Sequence, residues 1–328
     1  MADVLAPPAD APMDEASPRG AGPVIQGGLA TTFVTLAVLF LFGHYDVDFN
    51  PMGFYAWYIV PAGAILVGLC AGSGYGLVSW FRGVRIQRKL LVGVVILQFL
   101  AYGAAEYLEY RDILGRVQEE AARDGQSVDE PGFLNYYHHK AINFAWKAKH
   151  GDGIGEPLGL FGYVFVGLAA VGFIGGGLIG PLATASQPYC AGCQRYMRTK
   201  NLGLIPASVM NRKFKKADAA EGKVEWEADN DAAATAAQTH ANELIRLAEA
   251  GDVDTFRATG QSAFGPKKAT DKLPIRISTD LVHCPACYRG WLRHSAVSGQ
   301  GKEVRRVPVS QIEVSGAFGE GVLAPRTA

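Results

Sequence analysis

Residues 189–193 read Tyr189-Cys190-Ala191-Gly192-Cys193, and residues 283–288 read His283-Cys284-Pro285-Ala286-Cys287-Tyr288. These two CxxC pairs supply four thiols in two tight turns, the donor number and softness that a tetrahedral Zn2+ site takes. Both pairs lie downstream of four long apolar stretches. The chain therefore reads as a membrane-spanning protein with a tail folded around one metal.

The 328 residues are 49% hydrophobic and 19% charged, and the apolar residues are concentrated rather than spread. Segments at about 24–43, 58–81, 90–109 and 158–183 are each long enough to cross a hydrocarbon core of roughly 30 Å. The expected fold class is an α-helical polytopic membrane protein: four transmembrane helices within 23–187, with an outer segment, 110–157, before the last span. Residues 1–22 are Ala/Pro-rich and acidic, without the positive n-region of a signal peptide, and are expected to form a disordered tail.

Charge placement sets the orientation. The turn after the second span carries Arg82, Arg85, Arg88 and Lys89, whereas His44 to Asp48 after the first span contains no Lys or Arg. The positive-inside rule puts the former in the cytoplasm, and an even number of spans puts both termini there as well. Arg195, Arg198 and Lys200, then Arg212, Lys213, Lys215 and Lys216, follow the last span and agree. The expected location is the plasma (inner) membrane, multi-pass, with the cysteine pairs on a reducing side that keeps thiols free for metal. Cys70, mid-span, is expected to be a small packing residue.

Two spans carry glycine ladders. Gly68, Gly72 and Gly76 in the second and Gly172, Gly176 and Gly180 in the fourth each recur every four residues, so each set lines one helix face. Missing side chains there let another backbone approach, and the spans are expected to pack through those faces, or to serve a homo-oligomer or a partner helix. The third span shows a polar stripe, Gln98, Tyr102 and Glu106, with Glu109 beyond. A carboxylate near a bilayer usually faces protein or water, so Glu106 is the candidate intramembrane functional residue; snorkelling to the interface explains it equally well.

Residues 112–123 are expected to continue the third span as a helix, and Phe133 to His150, rich in Tyr, Phe, Trp, His and Lys, to form an interfacial helix. His44, Asp46, Asp48, His138, His139 and His150 share that side, without a spacing that sets a metal geometry.

In the tail, residues 188–316, strand-like stretches flank each cysteine pair; Ile275, Ile277, Thr279 and Leu281 alternate with polar residues before the second. Strand, CxxC, strand, twice over, resembles the zinc-ribbon or rubredoxin-like class, a resemblance confined to these hairpins and their flanks. It implies that Cys190, Cys193, Cys284 and Cys287 bind a structural Zn2+, ahead of iron, with His283 an alternative donor. One departure is that such turns often carry Gly after the second cysteine, where this chain has Gln194 and Tyr288. Metal in a small domain contributes apparent binding energy on the order of 10 to 16 kcal/mol, enough to hold a ribbon with little core.

Between the pairs, about 211–272 reads as a helical insertion. Loop-closure cost grows only logarithmically, so the separation is tolerable. Leu244, Ile245, Leu247 and Ala248 give an apolar face, Gly251 a stop and Asp252 an N-cap for a second helix. Val304, Val307, Val309, Ile312 and Val314 suggest closing strands, and 317–328 a disordered end.

No enzyme signature accompanies this architecture. Gly260 to Lys267 fails as a phosphate loop because Pro266 intervenes and no strand precedes it. His240 and Glu243 lack the second histidine of a metalloprotease helix. A four-helix thiol-disulfide oxidoreductase needs a second redox pair on the outer side, which contains no cysteine. The basic run Arg212 to Lys216 beside a lipid bilayer suits anionic headgroups better than nucleic acid. The expected function is non-enzymatic: a scaffold or docking module, probing a protein partner through the insertion helices or the bundle, as a subunit of a membrane complex. The alternative is a small transporter, channel or sensor using the stripe on the third helix.

Overall fold

A computed structural model describes residues 20–45, 51–57, 59–124, 131–145, 156–210, 219–299 and 303–325. The chain divides between Gln187 and Pro188 into two units, each with its own core.

The first unit is helical: α1 (Gly22–His44), α2 (Ala62–Arg82), α3 (Arg88–Arg123), α4 (Phe133–Ile142) and α5 (Gly162–Ala185). All but α4 are long and apolar enough to cross a membrane. The expected second span begins late, at Ala62 rather than 58. Pro61 sits at its N-cap, and an isolated bridge between Ala56 and Val60 turns the chain just before it. α3 runs unbroken to Arg123, well past the apolar stretch. The interfacial helix expected to reach His150 stops at Ile142, where the Asn143 side chain donates to the His139 carbonyl at 3.0 Å; residues 146–150 lie outside the described residues.

α2 packs most extensively, against α5 on one side and α1 on the other. At the α5 crossing the backbones touch: a Cβ on Gly72 would stand 2.5 Å from Gly177 Cα, and one on Gly68 1.9 Å from the Phe173 carbonyl. Gly76 meets Gly180 and Gly176 meets the Ile65 carbonyl in the same way, while Gly172 lies against Pro61. The α1 contact has no counterpart in the glycine ladders. There the Thr31 hydroxyl donates to the Ala71 carbonyl at 2.8 Å, and the Gly74 N–H donates to Thr31 Oγ1 at 3.2 Å. Side chain to backbone bonds of this kind join helices where no water competes.

Cys70 is not a packing residue, because it lies exposed on the surface of the bundle.

The second unit is a twice-pleated tail. A two-residue pair, β1 (Tyr189–Cys190) and β2 (Arg195–Tyr196), precedes an antiparallel sheet of order β3-β4-β5-β6: Arg198–Pro206, Ile275–His283, Gly290–Ser298 and Arg305–Val314. The sequence inserts α6 (Ala219–Ala250), α7 (Val253–Ala263) and the short α8 (Lys267–Thr270) between β3 and β4. Ala237, Ala241, Leu244 and Ala248 recur at helical spacing on α6 and are buried with Ile205, Ile277, Leu281 and Leu292 of the sheet. Small residues on that stripe let the helix lie close to the strands. Gly251 takes a left-handed φ of +72°, and the Asp252 side chain accepts from the Thr255 N–H at 3.0 Å to start α7.

One expectation is overturned. Residues past 316 are not all a disordered end, since Gly316–Leu323 forms a helix, α9. The Ser315 hydroxyl caps it by accepting from Phe318 N–H at 3.2 Å, and Phe318, with Val322 and Leu323 beside it, joins the core.

Candidate metal centre

Each cysteine turn is built where two strands part. β1 ends on Cys190 and β2 begins at Arg195, with Tyr189 opposite Tyr196; the Met197 N–H then donates to the Pro188 carbonyl at 2.8 Å. β4 ends on His283 opposite Gly290 of β5, leaving Cys284 to Arg289 to make the second turn. Within it, Tyr288 N–H donates to the Cys284 carbonyl and Cys284 N–H to the Arg289 carbonyl, both at 2.9 Å. Ala286 N–H points at Cys284 Sγ at 3.5 Å.

Gln194 and Tyr288, the residues that stand where such turns often carry glycine, hold φ of +51° and +58°. The left-handed conformation is thus kept without glycine. That costs roughly 1 kcal/mol or more per residue. Part of the offset at Tyr288 is local, for its ring lies parallel to that of His283, 6.4 Å between centroids. His283 is engaged in that stack and is not one of the converging donors.

Cys190, Cys193, Cys284 and Cys287 converge, with all four sulfurs within 4.8 Å of one another. Cys190 Sγ and Cys287 Sγ are 3.9 Å apart, and all four are free thiols. A tetrahedron of sulfurs at a Zn–S distance of about 2.3 Å has edges of about 3.8 Å, so the cluster is close to the size a metal ion requires. Cys190 and Cys284 are buried with Met197 and Val282, while Cys193 and Cys287 are partly exposed.

The charge state of the thiols follows from their surroundings. Burial pushes the Cys190 and Cys193 thiols above the ordinary range, with the neighbouring sulfurs adding to it. Burial acts the same way on Cys287, but the Arg289 backbone N–H and hydrogen bonds from the other cysteines outweigh it and pull that thiol down. Four thiolates packed this closely repel one another, and a bound cation supplies the charge that allows them to ionise together. The donor set therefore fits a metal ion and is compatible with a zinc-ribbon-like site.

Two glycines unmarked by the cysteine pattern complete the centre. Gly316 and Gly319 of α9 lie on the second turn, where a Cβ would stand 2.3 Å from the Cys287 carbonyl and 2.2 Å from that of Tyr288. The GxxG spacing of Gly316 and Gly319 was the available signal, in a short stretch at the start of the expected disordered end.

The polar stripe of the third span has another environment. Glu106 is buried, and its Oε2 accepts from Lys140 Nζ of α4 at 2.7 Å; Glu109 Oε2 accepts from the same nitrogen at 2.6 Å. Burial alone would lower the Lys140 pKa, but the Glu109 and Glu106 carboxylates outweigh it and hold it above the ordinary value, so the ammonium stays charged. Tyr102 donates to the Val166 carbonyl at 3.4 Å and packs on Phe173. Gln98 is fully buried, its amide near Gly177, with neither polar atom hydrogen-bonded among the described residues. The three residues thus do not form one site: Glu106 ties α4 to α3 and interacts with Tyr102, Tyr102 also reaches α5, and Gln98 faces the crossing.

Of the histidines and acids on the same side of the sequence, His44 Nδ1 lies 3.5 Å from Asp112 and the ring of His138 meets Tyr163, while Asp46, Asp48 and His150 lie outside the described residues. Among the described residues the cysteine cluster alone brings three or more possible metal donors together. No protein-family model, characterised protein or solved structure matches this chain at a significant level.

Proposed function

We propose that this chain is a non-enzymatic integral membrane protein whose metal-held tail docks a protein partner, as a scaffold or subunit of a membrane complex. The observation that carries the reading is the convergence of four thiols from two turns far apart in sequence, all within 4.8 Å. The metal is Zn2+ in a structural role. Free thiols and the basic clusters at Arg82 to Lys89 and Arg195 to Lys200 support a cytoplasmic tail, both termini inside, at the plasma membrane.

The apolar stripe of α6 is used up in the core of the tail, so the surface left for a partner is its polar side, with Lys223, Glu227, Glu243 and Arg246. A partner recognised there is polar and charge-complementary rather than an apolar helix.

A transporter or sensor is favoured by one observation, the buried amide of Gln98 without a hydrogen bond among the described residues. Glu106 supports it less, since Lys140 neutralises it.

Purification of the full chain in mild detergent, with metal analysis and mass spectrometry of the same sample, tests the reading. Stoichiometric zinc with a stoichiometric protein partner supports it; absence of metal with a disulfide in either cysteine pair sinks it. Glu106→Gln separates the alternatives, leaving partner recovery unchanged under the docking reading and abolishing flux or sensing under the other.

A further inference from the structure

We propose that Arg257, on α7, positions the second cysteine turn through α9 and so sets how tightly the centre retains its metal. The proposal rests on the metal reading above and goes beyond it, because Arg257 offers no donor atom to a cation.

The chain of contacts is short and stiff. At one end, Gly316 and Gly319 bring the first turn of α9 directly onto the peptide units of Cys287 and Tyr288, with no room for a Cβ at either place. Those peptide units belong to the turn that aims the Cys284 and Cys287 sulfurs, and Tyr288 holds it in the left-handed conformation. At the other end, Phe318 is 1% exposed and meets Phe256 of α7 edge to face, 5.1 Å between ring centroids. Arg257 follows Phe256 and donates from Nη2 to the carbonyls of Gly321 and, at 2.6 Å, Ala324.

The carbonyls at the end of a helix lack intrahelical partners and carry its partial negative charge, so a guanidinium there is doubly favoured. Gly321 also lies on Val253, at the start of α7, where a Cβ would stand 2.9 Å from Cγ2. α9 is therefore clamped between α7 and the cysteine turn. Withdrawing Arg257 leaves α9 held at that end by apolar contacts only, Phe318, Val322 and Leu323 in the core and Gly321 on Val253, and the surface against which the turn's backbone is set loosens. The insertion helices, the proposed partner surface, thereby communicate with the metal.

The test uses purified full-length protein loaded with zinc in detergent. It records zinc transfer to an excess of a chromogenic chelator, the melting temperature, and amide exchange in α7 and α9 with and without zinc. Arg257→Gln is expected to release zinc about tenfold faster, the scale of one lost charge-assisted hydrogen bond. Arg257→Lys, which can still reach one carbonyl, restores part of the slow release. Gly319→Ala, which lifts α9 off the turn without touching Arg257, accelerates release at least as much. Arg306→Gln, exposed on β6, releases zinc at the wild-type rate.

Removing zinc is expected to raise exchange in α9 and α7 together. If Arg257→Gln lowers the melting temperature yet releases zinc at the wild-type rate, its role is structural only and the proposal fails. Wild-type release from Gly319→Ala overturns it as well. A wild-type chain that retains no zinc overturns the metal reading and this one together, whereas zinc retained with equal release rates overturns this one alone.

Discussion

His294 lies on β5 directly opposite Thr279 of β4, 1% exposed, with Nδ1 3.2 Å from the Ser310 hydroxyl and Nε2 without a hydrogen bond among the described residues. Burial lowers its pKa from the ordinary 6.5 to about 4, against a smaller opposing pull from Asp280. Between those values the unfolded chain binds a proton that the folded chain does not, so the contribution is present in full above pH 6.5 and is lost as pH falls toward 4. At 1.36 kcal/mol per unit, the loss approaches about 3 kcal/mol at the acid end. Thermal melts of wild type and His294→Gln at a series of pH values check this. The wild type should lose more stability than the variant between pH 7 and 5, the titration of the cysteines being common to both. Nothing in the run Gly290 to Ser298 marked His294 in advance, because an isolated histidine on an alternating strand is compatible with either face until the helices that cover it are known. The four cysteines, by contrast, were legible because two CxxC pairs state both the donor type and the local turn.

At the scale of elements, the crossing of α2 and α5 depends on the absence of side chains at particular places. A Cβ on Gly72 overlaps the Gly177 backbone, whereas one on Gly175, on the same α5 helix, meets nothing within 4 Å. Gly72→Val should therefore lower stability by several kcal/mol, as overpacking at a backbone contact does, and Gly175→Val should change it by less than about 1 kcal/mol. Thermal denaturation in detergent distinguishes them. The docking of α4 depends instead on Lys140, which bridges Glu106 and Glu109. Lys140→Met leaves the buried Glu106 carboxylate without its cation and should cost roughly 3 to 5 kcal/mol, with faster proteolysis within α4 as the readout. The double variant Lys140→Met with Glu106→Gln should recover most of that loss. If the double variant is no better than the single one, the ion pair is not what holds α4. The glycine ladders announced a close-packing face from spacing alone, but the second face of α2, toward α1, was not legible. Ala71, Gly74 and Thr31 follow no repeat, and their pairing exists only once two helices are side by side.

For the whole molecule, the division between Gln187 and Pro188 leaves each unit with its own buried core. Cys284 is fully buried in the thiol cluster, so Cys284→Ser removes a donor that no other residue replaces among the described residues. Amide exchange should then rise through β1, β2 and the cysteine turns while α2 and α5 keep wild-type protection; equal loss of protection in the bundle would show that the two units unfold as one. By itself, the sequence determined the four long apolar helices, the two cysteine turns and the helical insertion, because each is a local pattern whose meaning is set by length, spacing or donor chemistry. Tertiary structure decided the rest: how closely the four thiols stand, that Lys140 meets Glu106, that the stripe of α6 is consumed by the sheet, and that the last described residues fold into α9 against the second turn. These are contacts between segments distant in the chain, and their free energies depend on geometry that no single segment contains.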